Sequence, residues 1–278
     1  MTIKVVTDSA CDLSDELIAQ YGISIVPLSI RFGDEELVDR EQLSVADFWK
    51  RLRESDALPE TAAPSAGRFE QTFRALAADG ATGIVCVTLS SEVSATTQSA
   101  VLAAQAVANE IPVRVVDSRF VSMGIGLLAI SAARRINNGE SLDAIGEALE
   151  EERTRLRLFG TLETLEFLRR GGRVSNAKAL FGSMLSVKPI LEVRDGRVEE
   201  AGKVRTRSKA LREISERVKD NSIDQIAMIG GDATDLDELR ALVEPLAEGA
   251  EVFSGDIGPV VGTHAGPGVV GVVFRIRA

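Results

Sequence analysis

The chain is poor in the side chains most often used for chemistry. It has one histidine, two cysteines, one tryptophan and one tyrosine in 278 residues, and aromatics make up 4%. Cys11 and Cys86 are far apart, and neither lies in a CxxC or Cys/His cluster. Together with a single imidazole this argues against a structural zinc site and a disulfide framework. No metal and no cofactor is expected, and both cysteines read as reduced thiols, Cys86 in a buried strand. Long apolar runs are also missing. No window approaches the ~18 apolar residues of a membrane span, and Asp8 interrupts "MTIKVVTDSACDL" where a secretory signal would continue. A cytoplasmic protein with at most transient membrane contact is expected. Positive charge is scarce, with 42 acidic against 32 basic residues, a net charge of -10 and a pI near 4.9. With no Lys/Arg block longer than three, nucleic acid is not an expected partner.

Nucleotide-binding patterns fail on context. "GIGLLA" fits G-x-G-x-x-A but falls inside a helical pattern, "GPGVVG" leads into a strand rather than opening a helix, and there is no Walker sequence. A hydrolytic triad of Ser94, His264 and an aspartate such as Asp8 lacks the G-x-S-x-G elbow, since its loop reads S-E-V-S-A.

What the chain does have is 45% hydrophobic content, enough for two ordinary cores. Short apolar runs such as "IKVVTDS", "GIVCVTL" and "VRVVDS" alternate with helix-period segments, the pattern of a parallel sheet covered by helices. The fold class is α/β. A three-layer, parallel-sheet N-terminal domain is expected over residues 1–153. A smaller α/β domain with antiparallel strands follows over 154–278, including a hairpin turning at Asp195-Gly196. Ligands of open α/β sheets sit beyond the carboxyl ends of strands, which directs attention to Asp8, Ser9, Asp117 and Ser118. Each could equally cap the following helix.

The loop "TLSSEVSATTQSA" places Ser91, Ser94, Thr96 and Thr97 around a helix N-terminus, where hydroxyl and backbone N–H donors can hold a small anion. "PETAAPSAG" adds Thr61 and Ser65. "LEFLRRGGRVS" reads as a helix closed by Gly171-Gly172. With "GKVRTRSKA" it supplies Arg169, Arg170, Arg173, Arg205 and Arg207, guanidinium groups of a shape suited to a carboxylate or phosphate. His264 stands in "GPVVGTHAGPG". Gly262, Gly266 and Gly268 there would allow close approach to a ligand, with Pro259 and Pro267 stiffening the loop.

Eight motifs in order, "TDSACDL", "TAAPS", "SSEVSATTQSA", "VVDSRFVSMGIG", "LEFLRRGGRVS", "VKPIL", "DGRVEEAGKVRTRSKA" and "IGPVVGTHAGPG", resemble the DegV family from residue 5 to about residue 271. The resemblance implies a protein that binds a long-chain fatty acid between its two domains. It also implies presentation of the carboxyl group to a separate fatty acid kinase catalytic subunit, which makes an acyl phosphate. By matching positions Thr61 and Ser94 would hold the carboxylate, with His264 and Thr263 beside them. Arg173 would sit near the head group, and Arg205 would face the partner or the phosphoryl group. Ala62, Ala95 and Thr97 depart from the family pattern, which bears on the shape of the tail pocket. No catalytic residue is expected on this chain. Two other readings of the same residues are a Ser/His acyl hydrolase or acyltransferase and a small-anion sensor.

Overall fold

In the computed structural model, which describes residues 2–55, 58–174 and 187–278, four apolar strands organise the N-terminal half. β1 (Ile3–Asp8), β2 (Ile23–Val26), β6 (Gly83–Thr88) and β7 (Val113–Asp117) form a wholly parallel sheet in the order β2-β1-β6-β7. Because side chains alternate along a strand, such a sheet needs cover on both faces. On one face Val6, Ile84 and Cys86 pack with Phe69 and Phe73 of α3 (Ala66–Ala78) and Ala100 and Ala103 of α4 (Thr96–Ala106). On the other, Val5, Val85 and Val87 share a core with Ile125 and Leu128 of α5 (Met123–Asn137) and with Ile145 and Leu149 of α6 (Leu142–Arg155). The expected three layers result.

Hydroxyl caps set the helix starts. Ser44 accepts from Asp47 N at 3.1 Å to open α2 (Val45–Glu54), and Ser65 caps α3 in the same way. α1 (Asp15–Tyr21) stops at Gly22, whose φ of 61° suits a residue without Cβ. A small antiparallel sheet follows β2, with β3 (Ser29–Phe32) between β4 (Glu35–Val38) and β5 (Glu60–Ala62). β5 lies within "PETAAPS", where sequence reading expects a loop; three residues are too few to display a strand period.

The C-terminal half is built on a six-stranded sheet, ordered β10-β9-β8-β13-β11-β12. Its strands are β8 (Leu156–Thr161), β9 (Lys188–Arg194), β10 (Arg197–Val204), β11 (Ile223–Gly231), β12 (Glu251–Asp256) and β13 (Val269–Ile276), and only β11 and β12 pair in parallel. The β9–β10 turn falls at Asp195-Gly196 as expected, with φ of 49° and 81°. Phe159, Met228, Val272 and Phe274 on one face pack with α8 (Arg207–Val218) and α9 (Leu236–Val243). Leu158, Leu191, Ile229 and Val269 on the other join the core shared with the N-terminal half.

Two helices differ from the sequence reading. α7 closes at Gly171, with Gly172 at φ 66° beyond it as expected, but it begins only at Glu166, three residues into "ETLEFLRRGGRVS", and Ser175 of that motif lies outside the described residues. The "GPVVGTHAG" stretch, read as a stiffened loop, contains α10 (Pro259–Ala265). Proline is tolerated in a first helical turn. Gly262 serves packing rather than turning, since a Cβ there would lie 2.6 Å from Phe48 and 2.9 Å from Trp49 of α2. Gly266 and Gly268 do take positive φ, 75° and 79°. Residue 153 falls in the last turn of α6, with the parallel sheet wholly before it and the six-stranded sheet wholly after.

Candidate functional site

The carboxyl ends of the parallel strands point toward the cavity-side face of the six-stranded sheet, and between them lies a cavity of about 270 Å³. Leu28, Leu89 and Val121, each beyond the end of a parallel strand, wall one side, and Leu158, Leu191 and Ile229 wall the other. This is the position that open α/β sheets reserve for ligands, but not through the side chains expected. Asp8 is fully buried and accepts from Leu89 N at 2.6 Å and Ala10 N at 3.1 Å. Ser9 accepts from Leu28 N, Asp117 accepts from Ser91 Oγ at 2.6 Å, and Ser118 bonds within its own loop to Phe120. None of the four lines the cavity. Their hydroxyls and carboxylates hold the loops that do.

The polar lining is small: Thr61, Ser94, Ser122, Arg173, Glu192 and His264. Thr61 on β5 and His264 on α10 meet across the cavity wall, with Oγ1 and Nε2 2.9 Å apart. Burial, reinforced by the Arg173 guanidinium, pulls the His264 pKa down from 6.5 to about 4. The imidazole is therefore neutral at pH 7. Among the described residues its Nδ1 has no hydrogen-bond partner, and it packs so closely on α7 that a Cβ at Gly171 would stand 2.3 Å away. Ser94 Oγ lies 2.9 Å from Thr96 Oγ1, and Arg173 is exposed, its guanidinium donating to Gly171 O at 2.6 Å. A neutral donor–acceptor pair, the hydroxyls of Ser94 and Ser122, and the charged side chains of Arg173 and Glu192 thus stand on an otherwise apolar lining.

Of the site residues expected from sequence, Thr61, Ser94, His264 and Arg173 line the cavity, and Thr263 and Arg205 do not. Thr263 is a correction: its hydroxyl donates to Pro259 O at 2.8 Å, one helical turn back, and it does not line the cavity. Arg205 is exposed in the bend between β10 and α8 and is no part of the lining. Of the remaining arginines, Arg170 pairs with Glu166, while Arg207 pairs with Asp235 and also donates to Gly268 O. Ser91 is taken by Asp117, and Thr97 donates to Leu89 O at 3.0 Å. The triad does not form either, because Ser94 is bonded to Thr96, His264 to Thr61, and Asp8 to backbone N–H groups.

Two features escaped sequence reading. Asp12, fully buried, accepts from Ser122 Oγ at 2.5 Å and from Gly258 N at 2.9 Å, tying the cavity-lining loop of Ser122 to the start of α10. Burial outweighs those bonds and pushes its pKa up to about 7. Ser122 has φ of 54°, a conformation that a serine gives no sequence warning of. The tip of the β9–β10 hairpin is likewise fastened over the cavity by Ser90 Oγ, which donates to Gly196 O at 2.7 Å, and by Glu92, which pairs with Arg197 and Arg119. Among the described residues no group of acidic, histidine or cysteine side chains could hold a metal ion, and no helix is long and apolar enough to cross a membrane.

Fold and cavity define a class: an α/β protein with an apolar chamber between its parallel sheet and its six-stranded sheet, and a few polar groups on the chamber wall. The chain belongs to the DegV family, whose model, described as an uncharacterised protein family, matches residues 2–277. It is 37% identical over 283 residues to a DegV domain-containing protein of Deinococcus radiodurans and 35% identical over 287 residues to one of Streptomyces coelicolor, each match covering 99% of both chains. Among solved structures, a DegV family protein from Thermus thermophilus described as binding fatty acid superposes with a TM-score of 0.90 at 32% identity, covering 100% of both chains. The DegV fatty acid binding protein of Bacillus subtilis gives 0.88 at 29% identity, also over 100% of both chains.

Proposed function

We propose that this protein binds a long-chain fatty acid, its tail in the apolar cavity and its carboxyl group at Thr61, Ser94 and His264, and presents that carboxyl to a separate fatty acid kinase subunit. The ligand lies between an N-terminal unit ending near residue 153 and the C-terminal unit. One observation carries the binding reading: a cavity lined mostly by aliphatic side chains, on whose wall Thr61, His264 and Ser94 stand with Arg173. Such a site suits an amphiphile with one polar end. Burying ~14 methylenes at about 0.8 kcal/mol each is a large driving force even after ordering costs. Hydroxyl and neutral imidazole groups can hydrogen-bond a carboxyl group while leaving the tail to supply the affinity. Relatives described as fatty acid binding proteins support the same assignment.

The presenting role draws support from Arg173, which is exposed yet lines the cavity and so lies where head group and solvent meet. Acyl hydrolysis would need Ser94 bonded to a base, and its partner is Thr96. Solvent extraction and mass spectrometry of the purified, denatured protein test the proposal. A stoichiometric long-chain acid is expected. An extract without one, together with no uptake of added palmitate or oleate, would sink it.

A further inference from the structure

The floor of the cavity contains an oddity that acid binding in general does not require. β8 and β13 are neighbours in the middle of the six-stranded sheet, and Gly160 faces Gly271 directly across them. The row continues on the same level to Leu191 of β9 on one side and Ile229 of β11 on the other. All four line the cavity. Two glycines side by side in a sheet interior weaken it, and they commonly mark a place where a ligand or another backbone comes close. With strands spaced about 4.8 Å apart, Leu191 and Ile229 stand three spacings, roughly 14 Å, apart, with no side chain between them. At the Ile229 end the row is closed by Gly255, over which Met123 packs within 3.1 Å of a would-be Cβ.

Close backbone packing explains part of this. A Cβ on Gly271 would lie 2.8 Å from Phe159 O, and one on Gly160 would lie 3.1 Å from Val270 O. It does not explain why the bare pair opens onto the cavity with bulky walls on either side. Resting on the fatty acid reading above, we infer that Gly160 and Gly271 form a slot across the sheet that seats the acyl chain, with Leu191 and Ile229 as the walls that set which chain length fits.

The test uses full-length protein stripped of lipid, with competitive binding of laurate, myristate, palmitate and stearate. Ile229→Ala lengthens the slot and is expected to raise the stearate-to-laurate affinity ratio. Leu191→Phe and Gly160→Ala narrow it and are expected to lower the ratio. A single well-placed group in an apolar pocket is worth roughly tenfold or more in discrimination, so shifts of about that size in opposite directions are the supporting result. Gly160→Ala forces β8 to move; should that variant fail to fold, the two wall variants decide. Folded wall variants with an unchanged ratio overturn the slot while leaving fatty acid binding intact. Wild-type protein that takes up none of the four acids overturns the binding reading and the slot with it.

Discussion

The two faces of the six-stranded sheet are made by the same strands and built to opposite ends. Toward α8 and α9 the strands present Phe159, Met228, Val272 and Phe274, with Phe274 and Val272 wholly excluded from solvent. Alternating with them on β8 and β13, and facing the cavity, stand Leu158, Gly160 and Gly271. The first face is closed with large side chains and carries stability. The second withholds volume at its centre and is roofed by loops held through hydrogen bonds to Asp8 and Asp12. A strand's two-residue period lets one sheet do both without compromise.

The largest expected effect lies on the packed face. Phe274→Ala should cost about 3–5 kcal/mol, the range for deleting a buried aromatic ring. Leu158→Ala, on the cavity wall and so with fewer packed protein neighbours to lose, should cost only about 2 kcal/mol, the low end for its type. Urea unfolding of both variants measures the contrast. Equal losses would mean that the cavity face is packed as tightly as its opposite.

The roof should respond to pH in a way the packed face does not. Asp12 is raised from an ordinary 3.8 to about 7 in the folded protein. Its contribution to stability is therefore fully present below pH 3.8 and lost as pH rises through 7. Asp12→Asn keeps the shape and removes the titration. Relative to wild type, the variant should become more stable by about 2–3 kcal/mol between pH 5 and pH 8. Parallel pH profiles for the two proteins would show that Asp12 does not titrate in this range.

Next in size is the head-group corner. On the proposed reading His264→Ala and Ser94→Ala each remove a hydrogen bond to the ligand's carboxyl end and should weaken long-chain acid binding by about 1.5 kcal/mol, somewhat over tenfold. The melting temperature of the Ser94 variant should barely change, whereas His264→Ala also gives up its bond to Thr61 and its packing on α7 and should melt somewhat lower. Isothermal titration with palmitate reads the effect, and wild-type affinity in both variants would move the carboxyl group elsewhere.

The same contrast explains what the sequence made legible. Strands such as "GIVCVTL" and "VRVVDS" follow from local period, and the structure agrees with them to within a few residues. The lone His264 is conspicuous in an aliphatic chain, whereas Thr61 and Ser94 are separated from the neighbouring hydroxyls only by the resemblance to the DegV family. What stayed hidden depends on contacts between distant segments. "GPVVGTHAG" is helical because Phe48 and Trp49 fill the space over Gly262, and the Trp49 indole donates to Ile257 O at 3.1 Å. Asp12 bonds Gly258 across 246 residues of sequence. Thr263, adjacent to His264, points a different way because successive residues on a helix are about 100° apart.

The smallest effect on the protein itself is expected from the two candidate arginines, and there the comparison turns from faces to rims. Arg205 is an exposed bend residue outside the cavity lining, while Arg173 both lines the cavity and meets solvent. An acid held by its tail and by neutral hydroxyls does not need either guanidinium for retention. Phosphoryl transfer, by contrast, gathers negative charge at the head group and gains from a fixed cation. Arg173→Ala and Arg205→Ala should each change stability by a few tenths of a kcal/mol and retain bound lipid. Turnover with a reconstituted fatty acid kinase subunit, read by acyl phosphate formation, should fall in both. Because Arg173 reaches the cavity and Arg205 does not, the Arg173 variant should lose turnover even at saturating kinase, whereas more kinase should rescue the Arg205 variant if that residue serves docking. Full turnover in both would remove the arginines from presentation, and loss of lipid in the Arg173 variant would assign that residue to binding.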